Sequence, residues 1–278
     1  YMGYTLNGIT MYGNGGSDML VGNIGEDTLY GGDGDDMLEG DGGNDEVHGG
    51  AGADMLTGDP GDDVLYGDGG NDVLDGGIGD DELHGGADDD MFTGGLGSDV
   101  LYGDDGNDIF EGGGGDDQLF GGNGDDLIAG GMGNDLLSGG SGNDGFGLIH
   151  GFFGNDILQS STDNAGAGTG TDLLLLTGSG GFNNEALYSL GHMDNGGSND
   201  LVLYLDNENT LTISDFFDEL GGDTAVEKIV LDRNGDGLAS ADDIEITLDQ
   251  AAIEALDEGA GGGQISLDLA NVDSAVIA

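Results

Sequence analysis

The chain has 278 residues, of which 65 are Gly and 58 are Asp or Glu, against two basic residues, with no Cys, no Trp and one Pro. A formal charge of −56 excludes nucleic-acid binding, which needs basic groups to displace the counterions of phosphate, and opposes compaction unless cations are taken up. No apolar run approaches the ~18 residues of a membrane-spanning helix, no secretory signal peptide is present, and the lack of Cys fits a secreted bacterial protein that does not rely on disulfides. Tyr1 is not an initiator Met, which points to a trimmed N-terminus and leaves room for an upstream domain.

Residues 1–12 are apolar and aromatic and predict a lead-in strand that covers the first turn of a solenoid, since the ends of solenoids need protection. From Gly13 to Gly147 one nine-residue phrase is repeated fifteen times without insertion or deletion. Position one is always Gly. Position four is Gly except at Asp88, and position eight is always Leu, Val, Ile or Phe. Position six is always Asp: Asp18, Asp27, Asp36, Asp45, Asp54, Asp63, Asp72, Asp81, Asp90, Asp99, Asp108, Asp117, Asp126, Asp135 and Asp144.

Position two holds only Gly, Asn or Asp, among them Asn14, Asn23, Asp41, Asp59, Asp68 and Asp104. These are the residues that tolerate a left-handed backbone, so the six residues before the apolar position predict a tight turn. The last three, such as Met19-Leu20-Val21, predict a very short strand with its middle side chain turned one way. Turn and strand at fixed length describe a coil, with two nonapeptides per coil and the position-eight side chains of opposing strands meeting in a thin core. Stacked coils bring the position-six carboxylates into rows roughly 4.8 Å apart. Like charges at that separation need a cation between them. Carboxylates and backbone carbonyls in a flexible Gly-rich turn offer only oxygen, which suits calcium before magnesium.

The phrase resembles the G-G-x-G-x-D-x-U-x nonapeptide of the RTX (repeat-in-toxin, haemolysin-type) calcium-binding proteins. The resemblance implies an all-β fold, a right-handed parallel β-roll with one turn per pair of repeats. It implies calcium held between the turns of repeats two apart by the position-six Asp and turn carbonyls, with about 13 ions in the array. Asp88, replacing Gly at position four, puts its own turn in doubt. Calcium supplies the missing positive charge, so the chain is expected to be largely unfolded without it.

After the array, Leu148-Ile149-His150 interrupts the register, and a degenerate copy with Asp156 closes the roll at residue 158. Residues 159–198 predict an irregular continuation. Two half-copies, around Asp172 and Asp200, keep the Asp just before an apolar stretch and are expected to continue the coil and bind calcium. From 199 to 278 the pattern changes to a capping β region. Residues 200–205 and 210–217 read as a hairpin and 226–231 as a third strand, an order similar to the segment that closes RTX arrays. Asp232-Arg233-Asn234-Gly235-Asp236-Gly237 opens a loop of EF-hand type without the helix pair, with Asp232, Asn234, Asp236 and Asp243 as candidate calcium ligands. Residues 249–258 read as a short helix stopped by Gly259. The last twelve residues are similar to the uncleaved C-terminal signal with which RTX proteins leave by type I secretion.

If position eight points inward, positions seven and nine point outward. Met19, Met37, Met55, Val73, Met91, Ile109 and Leu127 then form an apolar stripe. Tyr30, His48, Tyr66, His84, Tyr102 and Phe120 form an aromatic ladder on the opposite face. Such stripes usually mark contacts; they also satisfy strand propensity and cover a thin core. The four His are scattered, the carboxylates are explained by their period, and no H-E-x-x-H or G-x-S-x-G motif occurs, so no enzyme is expected. The sequence favours a secreted calcium-binding structural or surface protein of the filament, S-layer, matrix or adhesin kind, a homo-oligomer through one of the two stripes. The alternative is the C-terminal secretion and folding module of a larger RTX enzyme or toxin.

Overall fold

A computed structural model describes residues 7–150, 155–159, 173–178, 189–194, 199–204, 210–214, 228–231, 244–248, 264–265 and 275–277, with side chains in 7–147 and 156–158. The chain divides into two compact units, residues 1–126 and 127–278. Among the described residues every element is a strand and there is no helix, so none is long and apolar enough to cross a membrane.

The first unit contains β1 (Thr10–Gly15), β2 (Met19–Asn23), β3 (Thr28–Asp33), β4 (Met37–Asp41), β5 (Glu46–Ala51), β6 (Met55–Pro60), β7 (Val64–Gly69), β8 (Val73–Ile78), β9 (Glu82–Ala87), β10 (Met91–Leu96), β11 (Val100–Asp105), β12 (Ile109–Gly114) and β13 (Gln118–Asn123). Odd strands form one sheet, in the order β1-β3-β5-β7-β9-β11-β13. Even strands form the other, β2-β4-β6-β8-β10-β12. Pairing is parallel and each residue faces its equivalent 18 residues on, as in Val47↔Leu65 and Leu56↔Leu74. Two nonapeptides therefore make one turn of a parallel β-coil. The lead-in occupies a turn of its own, with Met11 beside Leu29 and Tyr12 beside Tyr30.

The core is as thin as the period requires. Every position-eight side chain of the unit from Leu20 to Leu119 is buried, and Phe92 stacks on Phe110 with ring centroids 4.6 Å apart. The strands are longer than the three residues the phrase predicts. They run on through positions one to three of the next copy, as in Val64-Leu65-Tyr66-Gly67-Asp68-Gly69. The reason is that left-handed residues at position two stack on their equivalents, Asp68 pairing with Gly50 and Gly86, so the bend does not end the ladder. Position one thereby faces inward beside position eight, and the turn proper is positions four to six. Left-handed φ is found at Asn14, Asp41, Asp59, Asp68 and Asp104 as the residue types predict, with Asn23 as the exception.

The second unit contains β14 (Leu127–Met132), β15 (Leu136–Ser141), β16 (Gly145–His150), β17 (Asn155–Gln159), β18 (Leu173–Gly178), β19 (Ser189–Asp194), β20 (Asn199–Tyr204), β21 (Thr210–Ser214), β22 (Lys228–Leu231), β23 (Ile244–Leu248), β24 (Gln264–Ile265) and β25 (Ala275–Ile277). Its sheets run β15-β17-β21-β20-β19-β24 and β14-β16-β18-β22-β23-β25. The three extra residues do not break the coil: β16 keeps the six residues of β14 and β15, with 148–150 where positions one to three of a next copy would stand, Leu137 pairs with Leu158, and both Asp156 and Leu158 are buried. β18 follows β16 in parallel, Gly145↔Leu173, so the first half-copy does continue the coil. The second does not. β20 is antiparallel to both β19 and β21, so Asp200 lies within a strand of the hairpin 199–214 and not at a turn of the parallel coil. The hairpin reading of that segment wins because its alternating strand pattern pairs locally. Asp172, the loop ligands Asp232, Asn234, Asp236 and Asp243, and the helix expected at 249–258 lie outside the described residues.

Candidate metal centre

Each position-six Asp enters its turn between two coils. Its Oδ1 accepts the backbone N–H of the Asp 18 residues earlier, at 2.8 Å for Asp27→Asp45, 2.7 Å for Asp45→Asp63, 2.8 Å for Asp63→Asp81 and 2.9 Å for Asp81→Asp99. The Asp residues before the even strands do the same, from Asp18→Asp36 at 2.7 Å to Asp90→Asp108 at 2.8 Å. In the second unit Asp135 donates to Asp156 at 3.0 Å across the longer spacing. Two rows result, and from Asp27 to Asp126 every member is at most 4 % exposed.

The second carboxylate oxygen is left over. Oδ2 of Asp36, Asp45, Asp54, Asp63, Asp72, Asp81, Asp90, Asp99 and Asp108 is buried without a hydrogen-bond donor, and Asp156 repeats this in the second unit. Buried acceptors without donors are costly, and here they recur at every turn from Asp36 to Asp108. From Asp36 to Asp108 each faces the Gly at position one of its own copy. A Cβ on Gly67 would strike both Asp72 Oδ2 and the carbonyl oxygen of Gly85 one turn on. A Cβ on Gly58 would meet Asp63 Oδ2 and Gly76, and one on Gly76 would meet Asp81 Oδ2 and Gly94. Position one is Gly because two oxygens converge where a side chain would begin. Among the described residues no three carboxylate or His side chains gather at one point, so a cation here would be held by one or two carboxylates and by backbone carbonyls. Acceptor-only oxygens of that kind fit a hard divalent ion of flexible coordination.

The electrostatics agree. Burial pushes the carboxyls of Asp63, Asp72, Asp81 and Asp90 up to about 7, from an ordinary 3.8. The N–H bond to Oδ1 lowers them part of the way back, and neighbouring carboxylates raise them again. Asp45 and Asp108 rise to about 6 from the same causes. An ion-free coil thus holds its aspartates at the edge of protonation, and a bound divalent ion relieves both burial and repulsion.

Asp88 does not break its turn. It takes the left-handed conformation itself, φ 78°, and the copy keeps Asp90 and Phe92 buried. A second ladder that the phrase does not reveal runs outside the first. Asp62 N–H donates to Asn44 Oδ1 and Asp80 N–H to Asp62 Oδ1, each at 3.1 Å, and Ser98 N–H to Asp80 Oδ1 at 2.8 Å, all exposed position-five residues. Its only signal is the enrichment of Asp, Asn and Ser at position five. Sequence reasoning also missed that Ile9 takes the place of a position-six Asp in the lead-in turn, donating its N–H to Asp27 Oδ1 at 2.6 Å.

The family model for the RTX calcium-binding nonapeptide repeat matches four times, over residues 12–47, 48–83, 84–119 and 111–146, just under half of the chain. Residues 12–146 are an RTX repeat array. Its repeats are of the calcium-binding kind, and the β-coil they form is the structural fold of that family. No curated protein matches the chain.

The outer faces of this RTX array carry both predicted stripes. On the odd-strand sheet Tyr12, Tyr30, His48, Tyr66, His84, Tyr102 and Phe120 stack in one column, with centroids 4.7–5.2 Å apart. His48 and His84 are separated by Tyr66, and each is bonded to the Glu two residues before it, at 3.0 and 2.9 Å. On the even-strand sheet Met19, Met37, Met55, Val73, Met91 and Ile109 are exposed. Leu127 of the second unit is exposed as well.

Proposed function

We propose that the protein is a secreted calcium-binding structural protein. Its coil folds on calcium outside the cell, and it associates with further copies through the outer face of the even-strand sheet. The observation that carries the first half is the series of buried Oδ2 atoms without donors, one per turn beside a position-one Gly. The position-six aspartates from Asp18 to Asp144 other than Asp27, and Asp156, are the ligands in this reading, with about 13 ions in the array. Asp172 belongs with them through the parallel pairing of β18 on β16. The loop 232–243 adds one more site. Its ends are Leu231 and Ile244, which pair directly across β22 and β23, so the hairpin encloses the twelve residues that an EF-hand-type loop needs. Bound calcium supplies positive charge between coils. The chain's own residues accept it, exclude water with position eight and orient the carboxylate through the Oδ1 bond. No catalysis belongs to this reading. Export by the type I route fits the family and the C-terminal residues.

Association is supported by the composition of the even-strand face. Besides the Met row, Ile24, Ile78 and Leu96 are exposed along its other edge. Between the two apolar rows lies a mixed one, Glu39, Thr57, Asp75, Thr93 and Glu111, in which acid and Thr alternate from strand to strand. Two copies staggered by one turn would set each carboxylate opposite a hydroxyl. Six strands at about 4.8 Å and a width of about 20 Å give about 580 Å² per partner, at the lower edge of stable interfaces. Far-UV circular dichroism with calcium and with a chelator tests folding; a chelated chain rich in strand at neutral pH would refute it. Light scattering of Met37→Thr, Met55→Thr, Met91→Thr tests association. Monomers that still fold on calcium are expected, and an unchanged particle size would count against the face.

A further inference from the structure

One turn of the array handles its carboxylate differently. At Asp27 both oxygens have donors: Asn23 Nδ2 lies 3.0 Å from Oδ1 and 3.1 Å from Oδ2, and the Asn23 backbone N–H also donates to Oδ2. Asp27 is therefore missing from the run of buried, donor-less Oδ2 atoms that takes in Asp18 and continues from Asp36 to Asp108. Asn23 occupies position two, yet it does not adopt the left-handed conformation taken there by Asn14 (φ 75°) and Asp41 (φ 75°). This backbone difference is what turns its N–H and its side chain onto Asp27. β2 is the first strand of its sheet, so Asn23 pairs on one side only, with Asp41. The turn before Asp27 in the same row carries Ile9 where an Asp would stand.

We propose that Asn23 is a built-in substitute for a cation, so that this turn takes no calcium and the row of ions begins one turn later. The amide meets a carboxylate with N–H groups, which is what an ion does with charge. The reverse orientation would set the Asn oxygen against two carboxylate oxygens and is disfavoured. The oxygens that converge elsewhere are present here too, since a Cβ on Gly22 would strike Asp27 Oδ2 and the Gly40 carbonyl. The ligands are thus in place and Asn23 is what occupies them. The consequence is an end of the coil whose closure does not depend on calcium concentration, next to a row that does.

This inference rests on the calcium reading of the rows, and the test separates the two. The full chain is refolded in calcium and its bound ions are counted by native mass spectrometry, for the wild type, Asn23→Gly and Asn23→Asp. Apart from Asn14, Gly and Asp are the residues that hold position two elsewhere in the array, so both variants restore the ordinary phrase. A gain of one ion in either variant is the expected result. No gain in either, or the loss of one, overturns the proposal; a loss would mean that the Asn23 oxygen is itself a ligand. A wild type that carries no calcium would sink the calcium reading instead.

Discussion

Replacing Asp81 by Asn should act with opposite sign in the presence and absence of calcium. Asp81 sits in mid-row, 2 % exposed; its Oδ1 accepts Asp63 N–H at 2.8 Å and its Oδ2 has no donor. Asn keeps the first contact and removes the charge at the second. With calcium bound, one partner of a buried charged contact is lost, about 3–5 kcal/mol. Spread over about 13 ions bound together, that raises the calcium midpoint of folding by about 1.7-fold. Without calcium the same change removes a carboxylate that burial has pushed up to about 7. Each pKa unit corresponds to about 1.4 kcal/mol, and after a discount for solvent screening the ion-free coil gains on the order of 1–3 kcal/mol at pH 8. The assay is far-UV circular dichroism in two titrations, calcium alone and trimethylamine oxide in chelator, an osmolyte that favours burial. The calcium midpoint should rise and the osmolyte midpoint fall. Movement of both in the same direction would refute a cation at this carboxylate.

Gly67→Ala should cost several-fold in calcium midpoint, since its Cβ would lie against Asp72 Oδ2 and the Gly85 carbonyl. Gly69→Ala, whose nearest neighbour is a carbonyl at 3.9 Å, should be silent by the same titration. Asp88→Gly should raise stability by about 1 kcal/mol, because Asp tolerates a left-handed conformation (φ 78°) at a higher cost than Gly; denaturant unfolding in calcium checks it. Leu65→Ala removes a fully buried side chain and should cost about 2–5 kcal/mol in the same assay. Acid should partly replace calcium. With Asp63, Asp72, Asp81 and Asp90 near 7 in the ion-free coil and 3.8 as the ordinary value, the folded form binds more protons in between. Ion-free stability is then greatest below about pH 4 and falls as pH rises to about 7. Chelated protein should show more strand by circular dichroism at pH 4.5 than at pH 8, and the reverse order would contradict the shifts.

The parts of this fold that are legible in the sequence are those a strict period writes down. An Asp, an apolar residue and a left-handed residue every nine places predict the coil, its two sheets, the Leu65-type core and the rows of carboxylates. The illegible parts depend on neighbours 18 residues away. The strands outrun their three predicted residues because Asp68 and its equivalents stack in register, which residue type alone reads as a turn. Asp88 makes a doubtful turn by composition, yet it holds the required conformation. Asn23 belongs by type with the left-handed residues and instead folds back on Asp27. Asp200 matches half a repeat, but the strand that carries it pairs antiparallel with its sequence neighbours. For Asp68 and Asp200 a local signal is overruled by the neighbouring strands of the sheet.

The measurement that bears most directly on calcium as the link between coils is an anomalous difference map from crystals of the calcium-loaded protein. The account predicts peaks along both rows, beside Gly31 through Gly103, where an Asp Oδ2 lies against a position-one Gly, with none beside Gly22. A well-ordered coil without density at those turns would contradict it.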